Sequence, residues 1–427
     1  MPSRSRVLRR PHRAWAVAAV TFVALVGAAG FRATPGVLIL PLQDEFGWSR
    51  ATVSLAVSVN LLLYGLTAPF AAALMERFGI RRIVAGALGL VAAGSALTTL
   101  MTQSWQLVAC WGVLVGLGTG SMALVFAATI ANRWFVHRRG LVVGILTAGG
   151  AAGQLVFLPL LSVLVERHGW RSAALVVAAA ALAVIPLVLI MMRERPSDIG
   201  LLPYGATGPV PTPPAAGAPA RAAIGALRFA VRRPAFWLLA GGFAICGATT
   251  NGLVGTHFIP AAHDHGMPMT TAASLLALVG VFDIVGTIAS GWLTDRADSR
   301  TLLGWYYALR GVSLFALPAL FTAAPHAQML IFVLFYGLDW VATVPPTVAL
   351  CRELFGERGT LVFGWVFASH QIGAAIAATV AGVVRTSLGS YTLAWVGAGF
   401  LCLVAAALSW SVRPVARTAE PALATVD

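Results

Sequence analysis

Long apolar stretches alternate with short polar segments along almost the whole chain. A helix of about 20 apolar residues crosses a hydrocarbon core about 30 Å thick, so each such stretch is a candidate transmembrane helix. Twelve stretches of this kind lie near residues 15–40, 51–75, 83–101, 106–131, 140–164, 172–192, 234–261, 270–293, 301–322, 327–349, 359–384 and 390–412. The pattern predicts an all-α polytopic membrane protein with twelve transmembrane helices.

The composition excludes a soluble enzyme. Only 10% of the residues are charged and 59% are hydrophobic, whereas a soluble protein carries about 25% charged residues. The first apolar stretch is about twice as long as the core of a secretory signal peptide, so it is interpreted as an uncleaved first helix. The four cysteines are isolated and match neither a disulfide framework nor a metal site.

The arginines indicate how the chain is oriented. All 29 basic residues are arginine, and 23 of them lie in the termini and in alternate loops. The opposite loops carry four, namely Arg50, Arg167, Arg171 and Arg385. We call the two sides the arginine-rich and the arginine-poor ends. Because arginine is retained on the cytoplasmic side, we predict a plasma-membrane protein with both termini in the cytoplasm, and the net charge of +14 does not indicate nucleic-acid binding.

The two halves of the chain resemble each other at an offset of about 219 residues. The segment 41–47, PLQDEFG, follows the first apolar stretch, and 260–266, PAAHDHG, follows the seventh. A duplicated six-helix unit is a common organisation of transporters. We therefore predict two six-helix bundles, at residues 1–192 and 234–412, with a cytoplasmic central loop at 193–233 and a cytoplasmic tail at 413–427.

Two loop segments resemble the signature of the major facilitator superfamily. Residues 72–82 are AALMERFGIRR, and residues 291–300 are GWLTDRADSR, which is the closer match. The segments 133–135, RWF, and 195–204, RPSDIGLLPY, together with Asp283, resemble the branch of monocarboxylate porters and oxalate–formate antiporters. The chain departs from the animal monocarboxylate transporters at Thr287, where those proteins have arginine, and at Gly36, where their first-helix lysine is missing. The resemblance implies the major facilitator fold and the transport of small monocarboxylates.

Charged residues inside the apolar stretches are the main candidates for function, since each costs several kcal/mol at membrane depth. Arg32, Asp283, Arg310 and Asp339 are of this kind. The rise of about 1.5 Å per residue puts Asp283 and Arg310 at similar depths, roughly 18 and 15 Å from the arginine-rich end. Arginine binds a carboxylate through two parallel hydrogen bonds, and a buried aspartate can exchange its proton for an arginine partner. We expect Asp283 to engage Arg310 in the empty carrier. The alternative is a permanent pair of Arg310 with Asp283 or Asp339 that locks the C-terminal half.

Several polar residues extend the candidate site. Tyr64 and Asn251 occupy the positions that the repeat relates to Asp283 and Arg32, and His370 lies at mid-depth, where it either titrates near neutral pH or only packs. The weaker candidate His257 lies nearer the arginine-poor end. The charges of the two signature loops either pair across helices to latch one conformation or are simply solvated. The predicted site residues are Arg32, Arg310, Tyr64 and Asn251 for substrate binding, Asp283, Asp339 and His370 for proton coupling, and Glu76, Arg77, Asp295 and Arg296 for the latch.

The sequence favours secondary transport over other functions. It carries no phosphate-binding loop, nucleophile motif or metal-ligand cluster, so we expect no enzymatic activity, no cofactor, no metal and no primary pumping. We predict a secondary active transporter of small organic anions, most simply monocarboxylates, that is coupled to protons or exchanges anions by alternating access and functions as a monomer in the lipid bilayer. The alternatives are an exporter of drug-like or secreted metabolites, and a membrane receptor or scaffold that transports nothing.

Overall fold

The protein is described by a computed structural model that covers residues 12–122, 124–208 and 219–413. Within these ranges the side chains of a few helical residues, Arg32 and Glu76 among them, lie outside the described part. The α-helices are α1 Arg13–Phe46, α2 Arg50–Phe78, α3 Ile80–Thr98, α4 Ser104–Leu107, α5 Gly116–Ser121, α6 Leu124–Trp134, α7 Arg139–His168, α8 Trp170–Met191, α9 Pro219–Ala230, α10 Pro234–Gly247, α11 Gly255–Asp264, α12 Met269–Thr294, α13 Ser299–Leu320, α14 Ala327–Asp339, α15 Val344–Phe355, α16 Gly359–Leu388 and α17 Thr392–Trp410.

The helices follow the predicted apolar stretches, and three of those stretches are interrupted. The fourth and the seventh contain π-helical turns, at Val108–Val115 and Ala248–Val254. The tenth divides into α14 and α15, because Pro345 and Pro346 lack the amide hydrogens that a continuous helix needs and are accepted only in a first turn. Within the described residues, eight largely helical stretches are long and apolar enough to cross a membrane. One of them, Ala327–Leu388, contains both the tenth and the eleventh predicted helices.

Small residues lie where the helices cross. A Cβ atom on Gly153 of α7 would collide with Ala29 of α1, and one on Gly373 of α16 would collide with the backbone of Ala244 of α10. The two glycines occupy equivalent positions in the repeat, so the same pair of helices crosses at a glycine in each half. Close backbone approach at glycine is how membrane helices associate when the surrounding lipid is as apolar as their side chains.

The branch-specific segments join at the arginine-rich end of the first half. The backbone amide of Tyr204 donates to the carbonyl of Trp134 at 2.8 Å, and the amide of Val136 donates to the carbonyl of Tyr204 at 2.9 Å. Nearby, the Glu194 carboxylate accepts the first backbone amides of α3, from Ile80 at 2.7 Å and Arg81 at 3.1 Å. These contacts connect the start of the central loop to the helices of the first half.

The two halves meet along three helix pairs, α2 with α16, α7 with α12 and α1 with α11. The α2–α16 pair runs antiparallel from Ser54, which faces Gly382, to Phe70, whose ring lies 6.1 Å from that of Trp365. We call this contact the α2–α16 seam. The central-loop helix α9 contacts both α2 and α16, at the arginine-rich end of the seam.

Candidate functional site

Asp283 of α12 lies beside a pocket in the second half of the chain. The pocket is lined by Gly255, Leu276, Val279, Gly280, Asp283 and Trp340. Asp283 is 7% exposed, and its Oδ1 accepts hydrogen bonds from the Thr287 hydroxyl and the Val341 backbone amide, both at 3.0 Å. The Val341 amide is available because the chain leaves helical geometry between α14 and α15. The proline pair thus positions the carboxylate through the break that it causes.

The other side of the pocket is formed where α11 begins, directly after a π-helical turn. Asn251 lies within this turn, where its carbonyl accepts the Thr256 hydroxyl at 2.9 Å. A Cβ on Gly36 of α1 would approach the carbonyl of Gly255 to 3.3 Å. Arg32 precedes Gly36 by one helical turn and therefore lies on the same face of α1. Its side chain lies outside the described part.

Arg310 of α13 is held by groups of its own half. Its Nε donates to Asp339 Oδ2 at 2.5 Å, and a terminal nitrogen donates to the Asp339 carbonyl at 2.6 Å. Its other terminal nitrogen contacts Cys246 Sγ at 3.0 Å, and the guanidinium lies 5.8 Å from the ring of Tyr307. Arg310 is 1% exposed. Most of its N–H donors are therefore already engaged.

The expected pair of Asp283 with Arg310 does not form in this structure, because Arg310 pairs with Asp339 instead. The helical rise gave the depth of the two residues but not the direction of their side chains. Arg310 faces α10 and α14, while Asp283 faces the start of α11. The alternative partner named from the sequence is the one observed.

Tyr64 and His370 lie at the α2–α16 seam. The ring of Tyr64 is 6.1 Å from that of Phe367, and the His370 ring stacks on Phe367 at 5.9 Å and lies 4.9 Å from Phe243. The two rings that contact His370 both belong to the second half, and Phe367 is also the α16 residue that Tyr64 of the first half contacts. Neither residue lines the pocket beside Asp283.

The four residues of the predicted latch lie at the arginine-rich end. Arg77 is exposed and lies 5.3 Å from the ring of Phe78. Arg296 lies 4.3 Å from the ring of Trp292 and donates to its carbonyl at 3.0 Å, while Asp295 is exposed. The ion pairs of the described residues include none of these three. The side chain of Glu76 lies outside the described part, so the latch stays a prediction.

Sequence reasoning missed a charge cluster between the halves at the arginine-poor end. Arg50 of α2 forms two hydrogen bonds with Asp264 of α11, at 2.5 and 2.7 Å. Arg385 of α16 donates to the same carboxylate at 2.8 Å, and Arg50 also reaches the Tyr391 hydroxyl at 3.3 Å. A signal was present, because Arg50 and Arg385 are two of only four arginines at that end and Asp264 belongs to the repeated segment 260–266.

All the described side-chain hydrogen bonds between the halves lie toward this end. Besides the charge cluster, they join the Thr270 amide to Glu166, the Ala51 amide to Thr386, and the Ser58 hydroxyl to the Ala375 carbonyl and Thr379. Even Ser58 lies only about 12 Å along α2 from Arg50. Within the described parts of the chain, polar contacts thus close the arginine-poor end and none bridges the halves at the arginine-rich end.

Within the described residues, no group of three or more His, Cys, Asp or Glu side chains is placed to hold a metal ion. Among the described residues, the buried side chains that carry charge include Arg50, Asp283, Arg310 and Asp339. Their arrangement suits the binding of an organic ion or a proton.

Comparison with known proteins places these features in a family. The family model described as Major Facilitator Superfamily matches residues 20–361 and 244–426. The chain is 26% identical over 399 residues to an uncharacterized MFS-type transporter, YcxA, of Bacillus subtilis, covering 90% of this chain and 91% of that protein. It is 28% identical over 396 residues to monocarboxylate transporter 13 of Rattus norvegicus, covering 91% and 86%. It is 26% identical over 405 residues to monocarboxylate transporter 11 of Homo sapiens, covering 91% and 80%.

Solved structures show the same fold. The crystal structure of the D-xylose-proton symporter superposes with a TM-score of 0.73 at 17% identity, covering 94% of this chain and 98% of that chain. An inward-facing, occupied bacterial homologue of the human lysosomal transporter Spinster gives 0.72 at 16% identity, covering 94% and 97%. The predicted fold class and family are confirmed. The chain belongs to the major facilitator superfamily of multi-pass membrane transporters.

Proposed function

We propose that this protein is a secondary active transporter of small monocarboxylates that couples their movement to protons or exchanges them for other anions. The observation that carries the proposal is the Asp283 carboxylate, which is buried, held by a backbone amide and part of the lining of a pocket. The pocket residue Gly255 is approached by Gly36 of α1, one helical turn after Arg32. The named monocarboxylate transporters among the relatives support the same substrate class.

The two charges are assigned different roles. Arg32 binds the substrate carboxylate, because a guanidinium offers two parallel donors to it. Asp283 carries the proton, because burial disfavours its charged form. A cation or a bound substrate beside it changes the energetic cost of that charge. Arg310 already holds a carboxylate of the protein, so a substrate reaches it only by displacing Asp339. The pair of Arg310 and Asp339 is therefore assigned mainly to the stability of the second half. Tyr64, Asn251 and His370 lie outside the lining of this pocket and are assigned no direct contact with the substrate there.

Alternating access is the mechanism that the α2–α16 seam supports. Ser54, Ser58, Thr379 and Gln371 lie along a contact between two membrane-spanning helices. A polar group at such a contact is costly when it is exposed to lipid. It is readily hydrated when the seam separates and water enters. We propose that residues 1–192 and 234–412 rock against each other, and that the polar contacts at the arginine-poor end hold that end closed in this conformation.

The test is uptake into proteoliposomes with a panel of radiolabelled monocarboxylates and dicarboxylates, with and without an imposed pH gradient. We expect uptake of monocarboxylates that Arg32→Ala abolishes and Arg32→Lys restores poorly, since a point charge does not reproduce the planar fork. Asp283→Asn mimics the protonated carboxyl, so it should keep counterflow exchange and lose accumulation driven by the pH gradient. The exposed carboxylate Asp44, replaced by asparagine, is the matched control and should leave transport unchanged.

Two results would contradict the proposal. If Asp283→Asn keeps full pH-driven accumulation, Asp283 is structural, and Asp339 or His370 becomes the next candidate for the proton site. If every carboxylate fails while cells that express the protein extrude drug-like compounds, the protein is an exporter.

A further inference from the structure

The charge cluster at the arginine-poor end is connected by hydrogen bonds to a buried histidine. We call the set Arg50, Asp264, Arg385, Tyr391 and His257 the outer cluster. It joins α2 of the first half to three elements of the second half: α11, α16 and the residue before α17. The side chains of Arg50 and Asp264 are 7% and 18% exposed, so their charges are largely removed from water.

The hydrogen bonds fix the tautomer of His257. Its Nε2 lies 2.9 Å from the Ala378 carbonyl, which can only accept, so Nε2 carries the hydrogen. Its Nδ1 lies 3.0 Å from the Tyr391 hydroxyl and must accept when the ring is neutral. The Tyr391 oxygen is in turn the acceptor for Arg50 at 3.3 Å. Donors and acceptors therefore match along the whole chain from Arg50 to Ala378 only when His257 is neutral.

Protonation of His257 breaks this match. Nδ1 becomes a donor, so the Tyr391 hydroxyl hydrogen loses its acceptor. The proton also adds a third positive charge to a cluster in which two arginines share one aspartate. That charge would lie on the His257 ring, which is fully buried, with an exposure of 0%. Burying such a charge without a partner is costly. When the halves separate at this end, water satisfies both the imidazolium and the freed hydroxyl.

We propose that His257 is a proton-binding site that controls the opening of the arginine-poor end, with protonation releasing the contact between the two halves. This inference rests on the proposed alternating access but not on any particular substrate. It identifies a proton site separate from Asp283, which lies beside the pocket.

The charges that face His257 from the packed elements are Arg50 of α2, Arg385 of α16 and Asp264 of its own helix, with the phenol of Tyr391 in contact. On α12 the charged side chain near α11 is Asp283, which lines the pocket beside Gly255. On α1, Gln43 accepts a hydrogen bond from Arg50 at 3.0 Å, Glu45 pairs with Arg171, and the side chain of Arg32 lies outside the described part. Among these groups, His257 is the one whose ordinary titration falls between pH 5 and 8.

The pH dependence has a definite sign. A proton that binds better to the open form favours opening, and one linked proton changes the ratio of open to closed molecules by at most about tenfold per pH unit. Imidazole in water takes up a proton as the pH falls below about 6.5. The closed contact is therefore fully formed above about pH 6.5 and becomes weaker as the pH falls below that value.

The experiment measures distances between the halves by pulsed electron paramagnetic resonance. Nitroxide labels are attached to Gln103→Cys and Ala324→Cys, which are exposed at the arginine-poor end of opposite halves. The partly exposed Cys110 is replaced by serine, and the other three native cysteines are buried. We expect the ratio of open to closed molecules to rise up to about tenfold per pH unit between about pH 6.5 and 5 in the full-length protein.

Three variants separate His257 from other sources of pH dependence. His257→Gln keeps one donor and one acceptor but cannot titrate, so its distances should not change with pH. Tyr391→Phe removes the mismatched hydroxyl and should reduce the pH response, and it provides a second reading if the glutamine variant folds poorly. His265→Gln is the matched control, because His265 lies on the same segment, bonds the Ala261 carbonyl and stacks on Phe321 outside the cluster. It should respond to pH like the native chain.

Distances that stay constant from pH 8 to 5 in the native chain, or a full pH response in His257→Gln, would overturn the inference. The second result would assign the response to a titratable group other than His257. The measurement needs no substrate, so pH-dependent opening without carboxylate uptake would refute the proposed function alone. Intact uptake with pH-independent distances would refute the role of His257 alone.

Discussion

Two buried arginine–aspartate pairs in this protein have similar contacts but connect different parts of it. Arg310 and Asp339 join α13 to α14 within the second half, while Arg50 and Asp264 join α2 of the first half to α11 of the second. Each pair has a nitrogen–oxygen contact of 2.5 Å. The first pair stabilises one body, so its loss affects folding. The second contributes to the equilibrium between two arrangements of two bodies.

The pairs also differ in their access to water. The side chains of Arg310 and Asp339 are 0% and 11% exposed, against 7% and 18% for Arg50 and Asp264. A pair that never meets water must retain its partner in every conformation. A pair at an interface can exchange its partner for water when the interface opens, which lowers the cost of breaking it.

The largest effect is expected from breaking the pair inside the second half. Arg310→Ala leaves the Asp339 carboxylate buried without its cation, which costs about 3–5 kcal/mol. The purified protein should unfold at a clearly lower temperature, and transport should be lost with the fold. The measurement is thermal unfolding in detergent beside uptake in proteoliposomes.

A double variant separates stability from substrate binding. Arg310→Met with Asp339→Leu removes both charges, and replacing a buried ion pair by apolar residues is often neutral for stability. If Arg310 is structural, the double variant should recover both the unfolding temperature and a part of the transport rate. Recovered stability without any transport would instead support the direct role in substrate binding that was predicted from the sequence.

A smaller effect is expected from breaking the pair between the halves. Asp264→Asn removes the charge that holds Arg50 and Arg385, and hydrogen bonds to charged groups contribute about 1.5–3 kcal/mol. The ratio of open to closed molecules should rise by roughly tenfold or more at neutral pH, with little change in the unfolding temperature. The label pair at positions 103 and 324 measures this, and an unfolding temperature that falls as far as in Arg310→Ala would remove the distinction between the two pairs.

An opposite effect is expected from Gln371 in the α2–α16 seam. Its side chain is fully buried against Gly65, and neither amide atom has a hydrogen-bond partner among the described residues. Gln371→Leu removes this unsatisfied group, which costs about 1–3 kcal/mol when buried. The closed form should become more populated and the transport rate should fall. Ser54→Ala, which removes another unpaired group of the same seam, should act in the same direction but less strongly.

The smallest effect concerns a loop at the arginine-rich end. Asp298 caps α13, accepting the backbone amides of Arg300 at 2.8 Å and Thr301 at 3.3 Å. The Arg300 side chain lowers the pKa of this carboxyl to about 2. Asp298→Ala should reduce the free energy of unfolding by about 1 kcal/mol at neutral pH. Because the pKa is lowered in the folded protein, this contribution is present above about pH 4 and is lost as the pH falls toward 2, so the native chain and the variant should converge there.

The sequence was sufficient for the fold, while its site residues remain predictions. The lengths of the apolar stretches predicted the helices, since a bilayer permits few alternatives, and the loop signatures predicted the family. The helical rise also gives an expected depth for Asp283 and Arg310. The direction of each side chain was not predictable, because it depends on packing angles between helices, and Arg310 therefore turned toward Asp339. The cluster around Arg50 and Asp264 joins residues 214 positions apart, so the scarcity of arginine at that end could mark its members but not their pairing.

The π-helical turn at Ala248–Val254 determines the direction in which the side chains of the following helix, α11, point. Such a turn behaves as one extra residue within an α-helix, and each residue advances the helix by about 100°. Deleting one residue from the turn would restore a regular helix and rotate α11 by about that angle. His257 and Asp264 would then point away from Arg50 and Tyr391, although the composition of the chain would hardly change. Sequence relatives in which this turn is one residue shorter would therefore need to seal the arginine-poor end with different residues.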